Sequence, residues 1–277
     1  MNKLFRLITI EWLKNASYKP VIVFGTIYLL LLVGFGLICS QSIPFFGVEV
    51  DLVDQGFLEF PQLWNFLFYM AGIIKIFLGL IIMFTVTNEF TEKLFKQNLI
   101  DGLSKKEYLI SKVTTIILLS FISTLIVYLT GLWLGYKYST QTSFETVYKE
   151  IYFVLGYFLK LVNFLLLFLL LSVLLKRIVL VLMSFFVLWV VEIILRIVEF
   201  KLFVERGSEN FQLYNDYLPL ANMHKLVDYP FERIKTISQI TQSNYVFETP
   251  WSHVFLSIGY SIVFIYGTYL LLLKKDW

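Results

Sequence analysis

The sequence predicts an all-α membrane protein with six transmembrane helices. Three observations carry that prediction. Hydrophobic residues make up 58% of the chain and charged residues only 16%, whereas a soluble domain carries about a quarter charged residues. Six apolar runs each reach the length of about 20 residues that a bilayer-spanning helix needs. The polar segments between them fall into two groups, one basic and one acidic, as alternate sides of a membrane require.

Residues 1–19 read as a helix lying in the membrane interface. Leu4, Phe5, Ile8 and Trp12 recur on one face, with Lys3, Arg6 and Lys14 largely opposite, toward anionic lipid head groups. The spans follow at about 21–39, 63–86, 113–136, 151–175, 178–198 and 254–273. Pro20 stands where a first helical turn tolerates proline. Trp64, Trp133 and Trp251 mark interface levels near span ends. Only Lys176-Arg177 separates spans four and five, which forces a tight hairpin. The largest polar segment, 200–250, is too aromatic for a disordered tail, and 219–227 and 231–240 read as short helices within it. No repeat, low-complexity tract or linker divides the chain, so 1–277 reads as one transmembrane domain.

Charge sets the orientation. The N-terminal segment, the 87–112 loop, the Lys176-Arg177 turn and the C-terminus hold 13 Lys or Arg against 6 Asp or Glu, and the segments 40–62, 137–150 and 199–253 hold 7 against 13. The positive-inside rule puts both termini in the cytoplasm. The single cysteine, Cys39, excludes an intramolecular disulfide, and no small-residue cleavage site follows it, so the first span reads as retained.

Four ionisable residues fall inside the spans: Lys75, Lys160, Glu192 and Arg196. Each is a functional candidate, because charge is expensive in the bilayer. Glu192 and Arg196, four apart on one face, read as an ion pair that orients span five. Lys75 either pairs with a carboxylate on another helix or faces a polar cavity. Lys160 is near enough to a span end to snorkel. A proton relay needs a chain of titratable groups, and Glu192 is the only acid within the spans.

Catalysis finds no support. No Gly-x-x-x-x-Gly-Lys-Ser/Thr phosphate loop occurs, so the chain does not hydrolyse ATP by that route. His224 and His253 have no nucleophile at a suggestive spacing, and no Cys/His cluster has metal-ligand spacing. Nothing points to nucleic acid.

The most informative polar stretch is 88–112. Asp101-Gly102 is a helix stop, and Ser104-x-x-Glu107 reads as a capping box with Leu103 and Tyr108 as its staple. Phe90, Leu94, Phe95, Leu99 and Ile100 spread around most of the preceding helix, so one membrane-facing stripe cannot bury them all.

With Glu89-Phe90 leaving span two, then Lys96-Gln97-Asn98, Asp101 to Glu107, and Lys112 entering span three, the chain resembles the permease subunit of ABC-2 type (type V) bacterial ABC transporters. The likeness runs the full length, down to Leu273-Lys274-Lys275-Asp276. Asp-Gly makes the turn here, where many members have a nearby proline. The resemblance implies that 88–112 contains a cytoplasmic coupling helix docking on a separate ATPase subunit. It implies two permeases meeting along a central pathway, and short outer helices dipping back toward the membrane between spans five and six. ATP and Mg would belong to the ATPase, with no cofactor in this chain. The expected contacts are Glu89, Glu92, Lys93, Lys96, Asp101, Gly102, Lys105, Lys106 and Glu107, with Glu89 and Glu92 facing basic residues of the ATPase and the lysines its acids or lipid head groups. The expected role is ATP-driven movement, outward, of a substrate across the bacterial inner membrane. The alternatives are an ATP-driven scaffold of a motility or self-protection complex and, from a different class, an ion-coupled carrier.

Overall fold

The computed structural model describes residues 3–38, 43–45, 48–50, 53, 56–206, 214–227, 229–230 and 251–274. Helix α1 (Lys3–Ala16) precedes α2 (Lys19–Ile38), and a small antiparallel hairpin, β1 (Ile43–Phe45) with β2 (Val48–Val50), follows. Span two comprises α3 (Gln62–Ile74) and α4 (Ile76–Thr91). After α5 (Leu94–Ile100) come α6 (Lys105–Tyr138), α7 (Phe144–Tyr148), α8 (Tyr152–Leu175) and α9 (Ile178–Arg206). A 3-10 turn (Tyr214–Tyr217), α10 (Pro219–Lys225) and α11 (Trp251–Lys274) complete the chain. The short helix expected at 231–240 lies outside the described residues.

All six expected spans are helices long and apolar enough to cross a membrane. Helix α8 is apolar on nearly every side and most of its residues are buried, so α3, α4, α6, α9, α10 and α11 all pack on it. Helix α9 is just as apolar, yet its side chains are largely exposed on the outside of the bundle. Polar side chains close the gaps between helices in the core: Tyr28 of α2, Ser123 of α6 and Tyr157 of α8 bond to one another.

Span two is broken at Lys75, whose backbone (φ −54°, ψ −19°) takes a tighter 3-10 geometry. Helix α6, at 34 residues, is about 51 Å long and overshoots a hydrocarbon core of about 30 Å, so its first turns project past the bilayer. Trp133 and Trp251 are exposed as interface residues should be, but Trp64 is not. Its indole is fully buried, stacks on Tyr128 and donates to the Val147 carbonyl (2.7 Å). The α7 segment, within the polar stretch 137–150, supplies that acceptor.

The basic segments do share one end of the bundle. Lys14 of α1 reaches Glu89 (2.6 Å), the Lys176 ammonium lies over the Phe90 ring (5.8 Å), and Lys105 donates to the Leu273 carbonyl (3.4 Å).

Candidate functional site

The 88–112 stretch forms a corner with two turns. At the second, Asp101-Gly102, the turn is the expected one. Gly102 sits at φ +94°, its N–H donates to the Leu99 carbonyl (3.2 Å), and the Leu103 N–H donates to the Asn98 carbonyl (2.9 Å). This is a Schellman arrangement, open to glycine because it lacks a Cβ. The capping box is also formed: the Ser104 hydroxyl accepts from the Glu107 N–H (3.2 Å), and the Glu107 carboxylate accepts from the Ser104 N–H (2.8 Å). Leu103 packs against the same apolar core as Tyr108.

The first turn is a correction. The stretch before Asp101 is not one helix but breaks after Thr91, with Lys93 in the left-handed region at φ +58°. That conformation costs a non-glycine residue about 1 kcal/mol. Burying a phenylalanine stabilises by about 2 kcal/mol, and the break puts Phe95 (1% exposed) against Phe90 (5.1 Å between centroids) and Tyr108 (4.7 Å). Packing therefore wins. It also sorts the apolar residues that a continuous helix could not bury: Phe90, Phe95 and Leu99 turn inward, and Ile100 is left 76% exposed.

Glu89 is likewise not where it was expected. Its carboxylate is buried, accepts from the Lys112 ammonium (2.6 Å) and the Tyr108 hydroxyl (2.7 Å), and pairs with Lys14 (2.6 Å). Lys112 also donates to both oxygens of Glu11 (2.9 and 2.7 Å). Two acids and two lysines thus form a neutral cluster that ties α1 to the feet of α4 and α6. A carboxylate at this depth needs that neutralisation, which is why it turns inward. The signal the sequence reading passed over was Glu11, the one acid in an otherwise basic helix. It lies on the same face as buried Leu7, whereas Trp12 and Leu13 are exposed.

Of the other expected contacts, Glu107 serves the capping box and Lys105 reaches the end of α11. Glu92, Lys93, Lys96, Asp101, Gly102 and Lys106 are exposed, as is Ile100.

The intramembrane charges also sort differently. Glu192 and Arg196 do not pair. Glu192 accepts from the Leu220 and Ala221 N–H groups (3.1 and 2.8 Å), where α10 begins and leaves N–H donors without helical partners. Arg196 faces Asp216 (3.8 Å), which Lys225 also approaches (3.4 Å). Lys160 does not snorkel: it is 1% exposed, with its ammonium 5.6 Å from the Tyr69 ring centre. Lys75 takes the second of its two alternatives and lines a cavity with Lys160, Tyr69 and His224.

Helix α10 is locked beneath α9 and α11. Asn222 donates to Ser257 (2.7 Å) and meets His253 Nδ1 (2.6 Å). Gly156 lets α8 approach closely, since a Cβ there would stand 2.5 Å from the Leu226 carbonyl oxygen. His224 lies outside the spanning helices, and burial, with Lys75, Lys160 and Arg196 nearby, pushes its imidazole down to about 3, so it is neutral.

No curated protein matches the chain. A family profile described as "ABC-2 family transporter protein" matches residues 58–277, which takes in spans two to six, the corner and α10. The chain is a multi-pass membrane protein and belongs to the ABC-2 family of transporter permeases.

Proposed function

We propose that this chain takes up the work of ATP hydrolysis from a separate ATPase subunit at the α4–α5–α6 corner and converts it into export of a substrate. The observation that carries this reading is the build of α5. It is closed by tight turns at both ends, exposes Lys96 and Ile100 with Glu92, Lys93, Asp101 and Lys106 exposed on the flanking turns and the start of α6, and is rooted in α4 and α6, whose feet the Glu89–Lys112 pair holds together. A push on α5 would move both helices as a rigid unit. The expected docking set becomes Glu92, Lys93, Lys96, Ile100, Asp101 and Lys106, with Gly102 setting the turn. Glu89 and Glu107 act by positioning the corner.

The charge pattern supports a cytoplasmic corner, with both termini on that side of a bacterial inner membrane. ATP and Mg would be held by the ATPase. The exposed apolar surface of α9 suits lipid or a second permease, as a homodimer or heterodimer, and 1–277 would act as one permease domain. In vesicles holding the permease with its ATPase, Ile100→Asp combined with Lys96→Glu should abolish substrate-stimulated ATP turnover while the chain melts at its usual temperature. Full stimulation in that variant would remove the docking claim.

A further inference from the structure

A cavity of about 350 Å³ lies beside the break in span two, walled by α3, α4, α8, α9 and α10. Its polar atoms come from Lys75, Lys160, Tyr69 and His224, and the rest of the lining is apolar, with Phe164 and Trp189 prominent. Among the described residues no carboxylate lines it. The nearby acids among the described residues are engaged elsewhere: Glu192 holds two backbone N–H groups, and Asp216 faces Arg196 and Lys225.

Lys75 is the telling residue. It is 7% exposed, and among the described residues it makes no hydrogen bond or ion pair, only a contact with the Phe164 ring 4.8 Å from its ammonium. A cation withdrawn from water needs a counter-charge, and one aromatic face does not replace it. The second lysine comes to the same place. A Cβ on Gly72, about one turn before Lys75 on span two, would stand 3.1 Å from the Lys160 ammonium. Both ammonium groups therefore border one space whose other walls are apolar. Ile73 and Trp189 on the rim are exposed on the bilayer-facing surface, leaving an apolar way in from the side.

We propose that this cavity binds the phosphate head of an anionic amphiphile, whose apolar tail leaves past Ile73 and Trp189 along the exposed surface of α9. Lysines serve phosphate as point charges, the tyrosine hydroxyl adds a donor, and the aromatic walls suit the first carbons of a chain. Binding is a property of this chain alone and does not depend on docking of an ATPase.

The test uses the full chain purified in a nonionic detergent, titrated with dioctanoyl phosphatidic acid and followed by tryptophan fluorescence. Phosphatidic acid should bind at least about tenfold more tightly than dioctanoyl phosphatidylcholine, the worth of about one charge-assisted contact. Lys75→Gln should lose that preference and Lys75→Arg should keep it, with melting temperatures confirming that both fold. Should Lys75→Gln unfold, Lys160→Gln serves the same purpose. Equal binding of the two lipids, or an undiminished preference in the folded glutamine variant, would overturn the site. Inorganic phosphate should not compete at equal concentration; full competition would show that the tail contributes nothing and overturn the amphiphile.

Discussion

Lys112, near the foot of α6, and Lys75, at the break within span two, are both buried lysines, and they are treated in opposite ways. Lys112 has two carboxylates within 2.9 Å, and with Lys14 the group sums to zero charge. Lys75 has an aromatic ring and an open cavity. The difference separates a charge used to hold helices together from a charge held in reserve. The first kind has its counterions in the fold. Among the described residues the second has none, and its surroundings have room for one.

The contrast can be broken by mutation. The largest effect should come from Lys112→Met, which strands Glu89 and Glu11 in a buried site and should destabilise by about 3–5 kcal/mol. A fall of several degrees in melting temperature, or loss of folded protein, would show it. Lys75→Met should act with the opposite sign. Removing an unpartnered buried cation while keeping its length should stabilise the unliganded chain by about 1 kcal/mol. A clear loss of stability there would mean that Lys75 is structural, like Lys112. Of similar size, Ser104→Ala removes one cap of α6 and should cost about 1 kcal/mol, read as a modest drop in melting temperature with the corner still formed.

Much of this architecture was legible in residue order. Apolar runs pointed to six helices long and apolar enough to cross a membrane, because span length is dictated by the bilayer and not by neighbours. The Asp101-Gly102 stop and the Ser104–Glu107 box were legible for the same reason: their partners lie within a few residues. What was hidden depends on contacts across the fold. Glu89 looked like an exposed charge because its partners Glu11-bound Lys112 and Lys14 sit 23 and 75 residues away. Glu192 and Arg196 looked like a pair because they are four apart, yet the backbone of α10 and Asp216 compete for them more successfully. Trp64 looked like an interface anchor until the Val147 carbonyl supplied a buried acceptor. Helices α8 and α9 are alike in composition, and only packing decides that one is the axis and the other is left exposed on the outside of the bundle.

The two turns of the corner make the same point at shorter range. Gly102 announces its turn by residue type. Lys93 does not, since its left-handed backbone is imposed by what Phe95 gains on Tyr108 and Phe90.

The most direct measurement places a benzophenone amino acid at Ile100, exposed at the corner, and in a second variant at Phe144, 79% exposed at the opposite end of the bundle. Each is irradiated in cells that co-express the cognate ATPase. Docking at the corner predicts a permease–ATPase crosslink from position 100 and none from position 144. No crosslink from 100, or one from 144 alone, would contradict it.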